Sequence, residues 1–177
     1  MTTPDWSLNL TKKGQGQAQE VGRKIARLLQ KEKDKTGKQQ MLFSYVSPYV
    51  RTMDTLSGAL SGMNEVDGGR DVLLLGVREE PRLVEQQFGN FQDLALVEKA
   101  KQDRKRFGRF FYRFPNGESG LDVYQRVTSF IATLFRDTGQ LTREGVDPDD
   151  LTVVIFTHGL TLRLLLMRWF QCQCERT

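Results

Sequence analysis

Apolar positions along the chain fall into two patterns, one of helical and one of strand period. Ala18, Val21, Gly22, Ile25, Ala26, Leu28 and Leu29 recur at three- and four-residue spacing, which predicts an amphipathic helix that opens near Thr11 as N-cap and closes before the charged stretch KEKDKTGK. MLFSYVS, DVLLLGV and LTVVIF are apolar almost throughout and of strand length. Ser47 and Pro48, after the first of these, predict an N-cap with proline at the first helical position and a helix from Pro48 to about Gly62. EEPRLVEQQFGNFQ predicts an ordered loop, and a polar helix is expected from Leu94 to Arg106. Ser119 should cap a helix whose apolar face includes Val123, Val127, Phe130, Ile131 and Leu134. LTLRLLLMRWF, directly after the third strand and its His-Gly, predicts a last helix.

Strands that are apolar throughout and alternate with helices indicate a mostly parallel sheet covered on both faces, an α/β three-layer sandwich. Ligands of such folds bind beyond the carboxyl ends of the strands. The strand-to-helix junctions at Ser47 and His158 are therefore expected to open on one edge of the sheet.

Composition narrows this picture only slightly. With 177 residues, 38% of them hydrophobic, and no Pro- or Gly-rich linker, a single domain over 1–177 is expected. A net charge of +4 specifies no partner. Cys172 and Cys174, with one histidine in the chain, suit neither a disulfide framework nor a zinc site and are expected to be ordinary thiols; neither a metal nor a cofactor is expected. GQGQAQ lacks the third glycine and the preceding strand of a dinucleotide-binding loop. The N-terminal residues lack the apolar core of a signal peptide, and no run reaches the ~18 apolar residues of a membrane span. A soluble, cytoplasmic protein with no membrane partner is the expectation.

Chemistry concentrates at the two junctions. Arg51 in SPYVRT falls in the first turn of a helix, where a guanidinium and free backbone N–H groups can converge on one phosphate; the alternative is a surface arginine paired with Asp54. His158, the only histidine, stands where strand meets helix, beside Gly159, whose backbone can approach an anion closely. Its alternative is a hydrogen-bonded structural histidine.

LTKKGQGQAQEVG, YVSPYVRTMDTL, PRLVEQQFGNF, FPNGES and FTHGLTLR, in that order, resemble the histidine phosphatase superfamily, and the wording of FGRFFYRFPNGESG and HGLTLRLLLMRWF is most similar to its phosphoglycerate mutase-like proteins. The resemblance covers nearly the whole chain. It implies that Arg51 binds the transferred phosphoryl group, that His158 is the second, phosphate-contacting histidine, and that Glu85 donates a proton to the leaving alkoxide. The alternative for Glu85 is a solvent-exposed loop carboxylate paired with Arg82, and Glu118 in NGES is a poorer candidate acid. The family's first strand ends in Arg-His-Gly, whose histidine attacks phosphorus; neither that arginine nor that histidine is present. The resemblance thus implies a domain incomplete at its N-terminal side, with the first strand absent from these residues. A chain of this kind is expected to be marginally stable, aggregating, or completed by a strand from another molecule.

The function so implied is hydrolysis of a phosphomonoester through phosphohistidine in the complete protein, with this chain inactive alone. The alternative is a non-catalytic phosphate-ligand or protein-binding module of the same fold. A small-molecule phosphate ester or other phosphorylated substrate is the expected partner. KAKQDRKRFGRFFYR raises nucleic-acid binding, which is set aside because a charge run is usually a solvated face and this one resembles the family's loop at the site entrance. Which ester is chosen, and whether a mutase or a phosphatase is at hand, residue chemistry does not say.

Overall fold

The three apolar runs form one parallel sheet in the order β2-β1-β3, where β1 is Met41–Val46, β2 is Leu73–Glu79 and β3 is Leu151–Phe156. The computed structural model describes residues 3–89 and 94–171. Among these, the α-helices are α1 (Lys12–Thr36), α2 (Val50–Asn64), α3 (Leu94–Phe107), α4 (Gly120–Arg143) and α5 (Gly159–Trp169). Helices lie between the strands in sequence because parallel neighbours need long crossovers. The result is an α/β fold, a parallel sheet flanked by helices, as the apolar pattern predicts. None of the described helices is long and apolar enough to cross a membrane.

The described residues gather into two compact units, one of 3–81 with 136–156 and one of 82–135 with the residues from 157 onward. The first holds the whole sheet. β1 pairs with β3 without interruption from Met41↔Leu151 to Val46↔Phe156, and with β2 through an irregularity between Leu42 and Phe43. At the carboxyl edge, Ser47 N–H donates to the Phe156 carbonyl at 2.9 Å and Glu80 N–H to that of Val46 at 2.8 Å. Only β1 is buried as its apolar run predicts: Leu73, Leu74 and Val77 of β2 are exposed, and β3 is half-buried up to Phe156. The difference is one of position, since β1 is central while β2 and β3 are the sheet's edges among the described residues.

Two glycines explain how α1 packs on α2. A Cβ at Gly22 would collide with the Ala59 carbonyl and one at Gly62 with that of Gln19, so the two backbones cross at a distance that side chains would forbid. Beneath them Ala26, Leu29, Leu42 and Met63 form one buried cluster and Val46, Leu56, Ala59 and Phe156 another. Buried Tyr45 donates from its hydroxyl to Asp137 at 2.9 Å. Burial, then the bond to Asp137, raises its pKa.

Two helix boundaries differ from expectation. α1 does not stop before KEKDKTGK but continues to Thr36 and ends on Gly37 in the left-handed conformation. Lysines 33 and 35 in its last turn suit the negative end of the helix dipole, and Lys33 pairs with Asp71. α2 opens at Val50 with Tyr49 as N-cap rather than at Pro48; the Ser47 hydroxyl accepts from Tyr49 N–H at 3.4 Å and the chain turns before it coils. Thr11 and Ser119 cap as predicted, accepting from Gly14 N–H at 3.1 Å and Asp122 N–H at 3.2 Å.

The second unit contains α3, α4 as far as Phe135, and α5. Its buried apolar residues include Leu83, Val123, Val127, Phe130, Leu164 and Leu165. Val123, Val127 and Phe130 are the face that helical spacing predicts, and all three are fully buried.

Candidate functional site

The junction after β1 presents Arg51 in the first turn of α2, with its fork already occupied. Nη1 donates to the Asp5 carbonyl at 2.6 Å and to its Oδ1 at 3.2 Å, while Nη2 donates to Oδ2 at 3.2 Å. The guanidinium also lies 4.9 Å from the centre of the Tyr49 ring. A bidentate carboxylate thus occupies the guanidinium fork. Asp54, the partner expected on spacing, instead accepts from Leu10 N–H at 3.3 Å.

The junction after β3 belongs to the second unit from Thr157 onward. His158 is the N-cap residue of α5, in extended conformation, and only 8% exposed. Directly beyond it, Leu160 N–H donates to Glu85 Oε2 at 3.2 Å, and both the N–H and the hydroxyl of Thr161 donate to Oε1 at 3.2 Å. The Thr161 hydroxyl also donates to the Val84 carbonyl and that of Thr157 to the Leu83 carbonyl, each at 2.7 Å. Glu85 therefore caps α5 from a loop some seventy residues upstream. Such a cap serves two of the helix's four orphan N–H groups. A Cβ on Gly159 would stand 3.9 Å from Glu85 Oε2, ordinary contact.

The structure thus brings Glu85, His158 and Gly159 to one helix start and places Arg51 in the other unit, at the start of α2. Glu85 does not pair with Arg82, which donates to the Ser129 hydroxyl at 3.1 Å. Glu118, the poorer candidate acid, forms a forked ion pair with Arg126, at 3.0 Å from Nε to Oε1 and 3.1 Å from Nη2 to Oε2. In the basic segment, Arg104 lies 5.4 Å from the Phe114 ring centre. Desolvation and the nearby Arg109 charge lower its pKa. Phe107 and Phe111 stand exposed. Asn90, Phe91 and Gln92 of the loop motif, and Cys172 and Cys174, lie outside the described residues. Among the described residues no three of His, Cys, Asp and Glu gather as metal ligands would.

Two residues of these junctions escape sequence reasoning. Asp5 meets Arg51 across 46 positions and Arg126 meets the Glu85 carbonyl across 41. No local pattern marks either, though an Asp-Trp turn ahead of the first helix and an arginine seven residues after Ser119 are visible in hindsight.

The chain is 44% identical to the phosphoglycerate mutase-like protein AT74H of Arabidopsis thaliana, over 96% of its own length and 59% of that protein's. It is 30% identical to the broad-range acid phosphatase DET1 of Saccharomyces cerevisiae, over 97% of its own length and 73% of the other. Its fold matches a mycobacterial glucosyl-3-phosphoglycerate phosphatase solved with inorganic phosphate, with a TM-score of 0.63 at 22% identity, covering 97% of this chain and 74% of that one. The sequence profile of the histidine phosphatase superfamily (branch 1) matches residues 5–177, and the chain belongs to that family.

Proposed function

We propose that these residues form the phosphate-binding and proton-donating part of a phosphomonoesterase that works through phosphohistidine. Arg51 and His158 would bind the phosphoryl oxygens. A histidine of an Arg-His-Gly strand, absent from these 177 residues, would attack phosphorus as the ester P–O bond breaks, and Glu85 would protonate the departing alkoxide. Water would then hydrolyse the phosphohistidine, releasing inorganic phosphate. Charge builds on the phosphoryl oxygens as the bond breaks, and fixed donors placed for that charge supply much of the rate in such chemistry. The observation that carries the reading is the meeting of Glu85 with the helix start directly after His158.

In this reading the 177 residues make a single domain short of its first strand; they span 59% of the AT74H protein. The half-buried, apolar β3 edge would receive that strand, or a strand of a second copy. The chain alone would bind phosphate but not turn over. Cytoplasmic location and a small phosphorylated substrate, without nucleic acid, complete the proposal. Support comes from the acid phosphatase relative, which shares 30% of its sequence.

A chromogenic phosphate ester tests it. The chain should give no turnover, and a form extended upstream with an Arg-His-Gly strand should turn over and lose activity with Arg51→Ala or Glu85→Gln. Turnover by the chain itself that His158→Ala abolishes would overturn the reading. Phosphate binding without turnover in the extended form would favour the second reading, a non-catalytic phosphate-binding module, which the single histidine motivates.

A further inference from the structure

The carboxylate of Glu85 reaches α5 from a loop without regular structure, where Gln86 N–H donates to Oε1 at 3.1 Å and the Thr157 and Thr161 hydroxyls hold the Leu83 and Val84 carbonyls. Arg126, on α4, adds a further hold at two more carbonyls. Beyond its fork on Glu118, its Nη1 donates to the Arg82 carbonyl at 2.6 Å and its Nη2 to the Glu85 carbonyl at 3.3 Å. One guanidinium thus grips the loop at its beginning and at the residue that matters.

Glu118 completes the grip from the other side. Its Oε2 accepts from Gln87 N–H at 2.9 Å, its own N–H donates to the Gln87 carbonyl at 2.7 Å, and its carbonyl accepts from the buried Gln86 amide at 2.8 Å. The turn before it presses against the same loop, since a Cβ on Gly117 would collide with the Gln87 carbonyl. The side chains of Arg126 and Glu118 are 16% and 21% exposed, shielded enough that the pair keeps its geometry.

We infer that Arg126, locked on Glu118, is a positioning residue that sets the Glu85 carboxylate against the start of α5 beside His158. The inference rests on the roles proposed above for Glu85 and His158. It gives the FPNGES turn a task that its acidic residue alone does not explain: Glu118 orients the arginine, and the arginine holds the loop. Lysine should hold the loop less well than Arg126, because an ammonium offers three donors from one point and cannot reproduce the four contacts of the planar fork.

Backbone amide resonances and hydrogen exchange of the ligand-free chain test this without reference to turnover. Glu85→Ala is the reference, since it removes the acceptor of Leu160 and Thr161 N–H and defines the uncapped signature of both amides. Arg126→Gln should reproduce that signature, with exchange at these two amides faster by about tenfold or more, while the sheet amides of Ser47 and Glu80 keep their parent rates. Arg126→Lys should fall short of the parent. Parent-like Leu160 and Thr161 in Arg126→Gln would overturn the inference. Should Arg126→Gln quicken exchange everywhere, the milder Glu118→Gln decides: a response confined to Leu160 and Thr161 supports the inference, and none overturns it. Because no ester is involved, this result stands or falls apart from the proposed function.

Discussion

The starts of α2 and α5 follow parallel strands and face the same chemical problem, yet they are closed by different means. At α2 it is a side chain, Arg51, that holds a carboxylate, and the carboxylate belongs to an N-terminal turn whose Asp5 side chain is 59% exposed. At α5 it is the backbone that holds a carboxylate, and Glu85 comes from a loop clamped by Arg126. An exposed ion pair is worth only about 0–1 kcal/mol and weakens with salt. A helix cap made from a clamped loop is worth more, about 0.5–2 kcal/mol. An incoming phosphate should therefore displace Asp5 from Arg51 with little loss, whereas Glu85 should stay in place.

Glu85→Ala breaks this contrast most strongly. It should lower stability by about 2 kcal/mol, the upper end for a cap serving two N–H groups and a hydroxyl, as read by denaturant unfolding. A change below about 0.5 kcal/mol would mean that water replaces the carboxylate at no loss.

α4 supplies a third helix start, closed locally and sensitive to pH. Asp122 accepts from the Ser119 N–H and hydroxyl at 2.7 and 2.6 Å. Burial pushes its pKa up, but the Ser119 bonds and Arg113 outweigh this and leave it lowered. A lowered folded value means that its stabilisation is fully present above the ordinary carboxylate range, about pH 4, and is lost as pH falls through the folded value. Protection of the Asp122 and Val123 amides, measured relative to their intrinsic exchange rates, should fall below that pH, and Asp122→Asn should remove this pH dependence.

Asp5→Asn should have the smallest effect on stability, under about 1 kcal/mol. It should nonetheless tighten binding of inorganic phosphate, because the competing carboxylate charge is gone. Unchanged or weaker phosphate binding, measured by calorimetry, would mean that Asp5 does not compete for the Arg51 fork.

Local determinants were legible in the chain and distant ones were not. Thr11 and Ser119 act within three residues of themselves, and both caps are read correctly. Ser47 and Pro48 offer a good start for a helix, but the chain first turns and Tyr49 becomes the cap, because the Ser47 N–H is drawn to Phe156 on β3. The charged residues after Gln30 look like a loop by hydropathy and are helix, held by Lys33 on Asp71 and a glycine cap. Leu73, Leu74 and Val77 of β2 read as buried and lie exposed, since whether a strand is central or at an edge depends on neighbours that no strand encodes. Arg51, Glu85 and His158 stand out through motif order, while Asp5 and Arg126 are fixed by packing alone.

Under the proposed function Arg51 and His158 would bind oxygens of one phosphoryl group. Titration of the isotope-labelled chain with inorganic phosphate, followed at the Arg51 guanidinium and the His158 imidazole, tests it most directly. Both signals should move together along one saturable curve, and Arg51→Ala should abolish the response at His158. A response at one residue that persists when the other is replaced by alanine would mean that the two do not share one phosphoryl group.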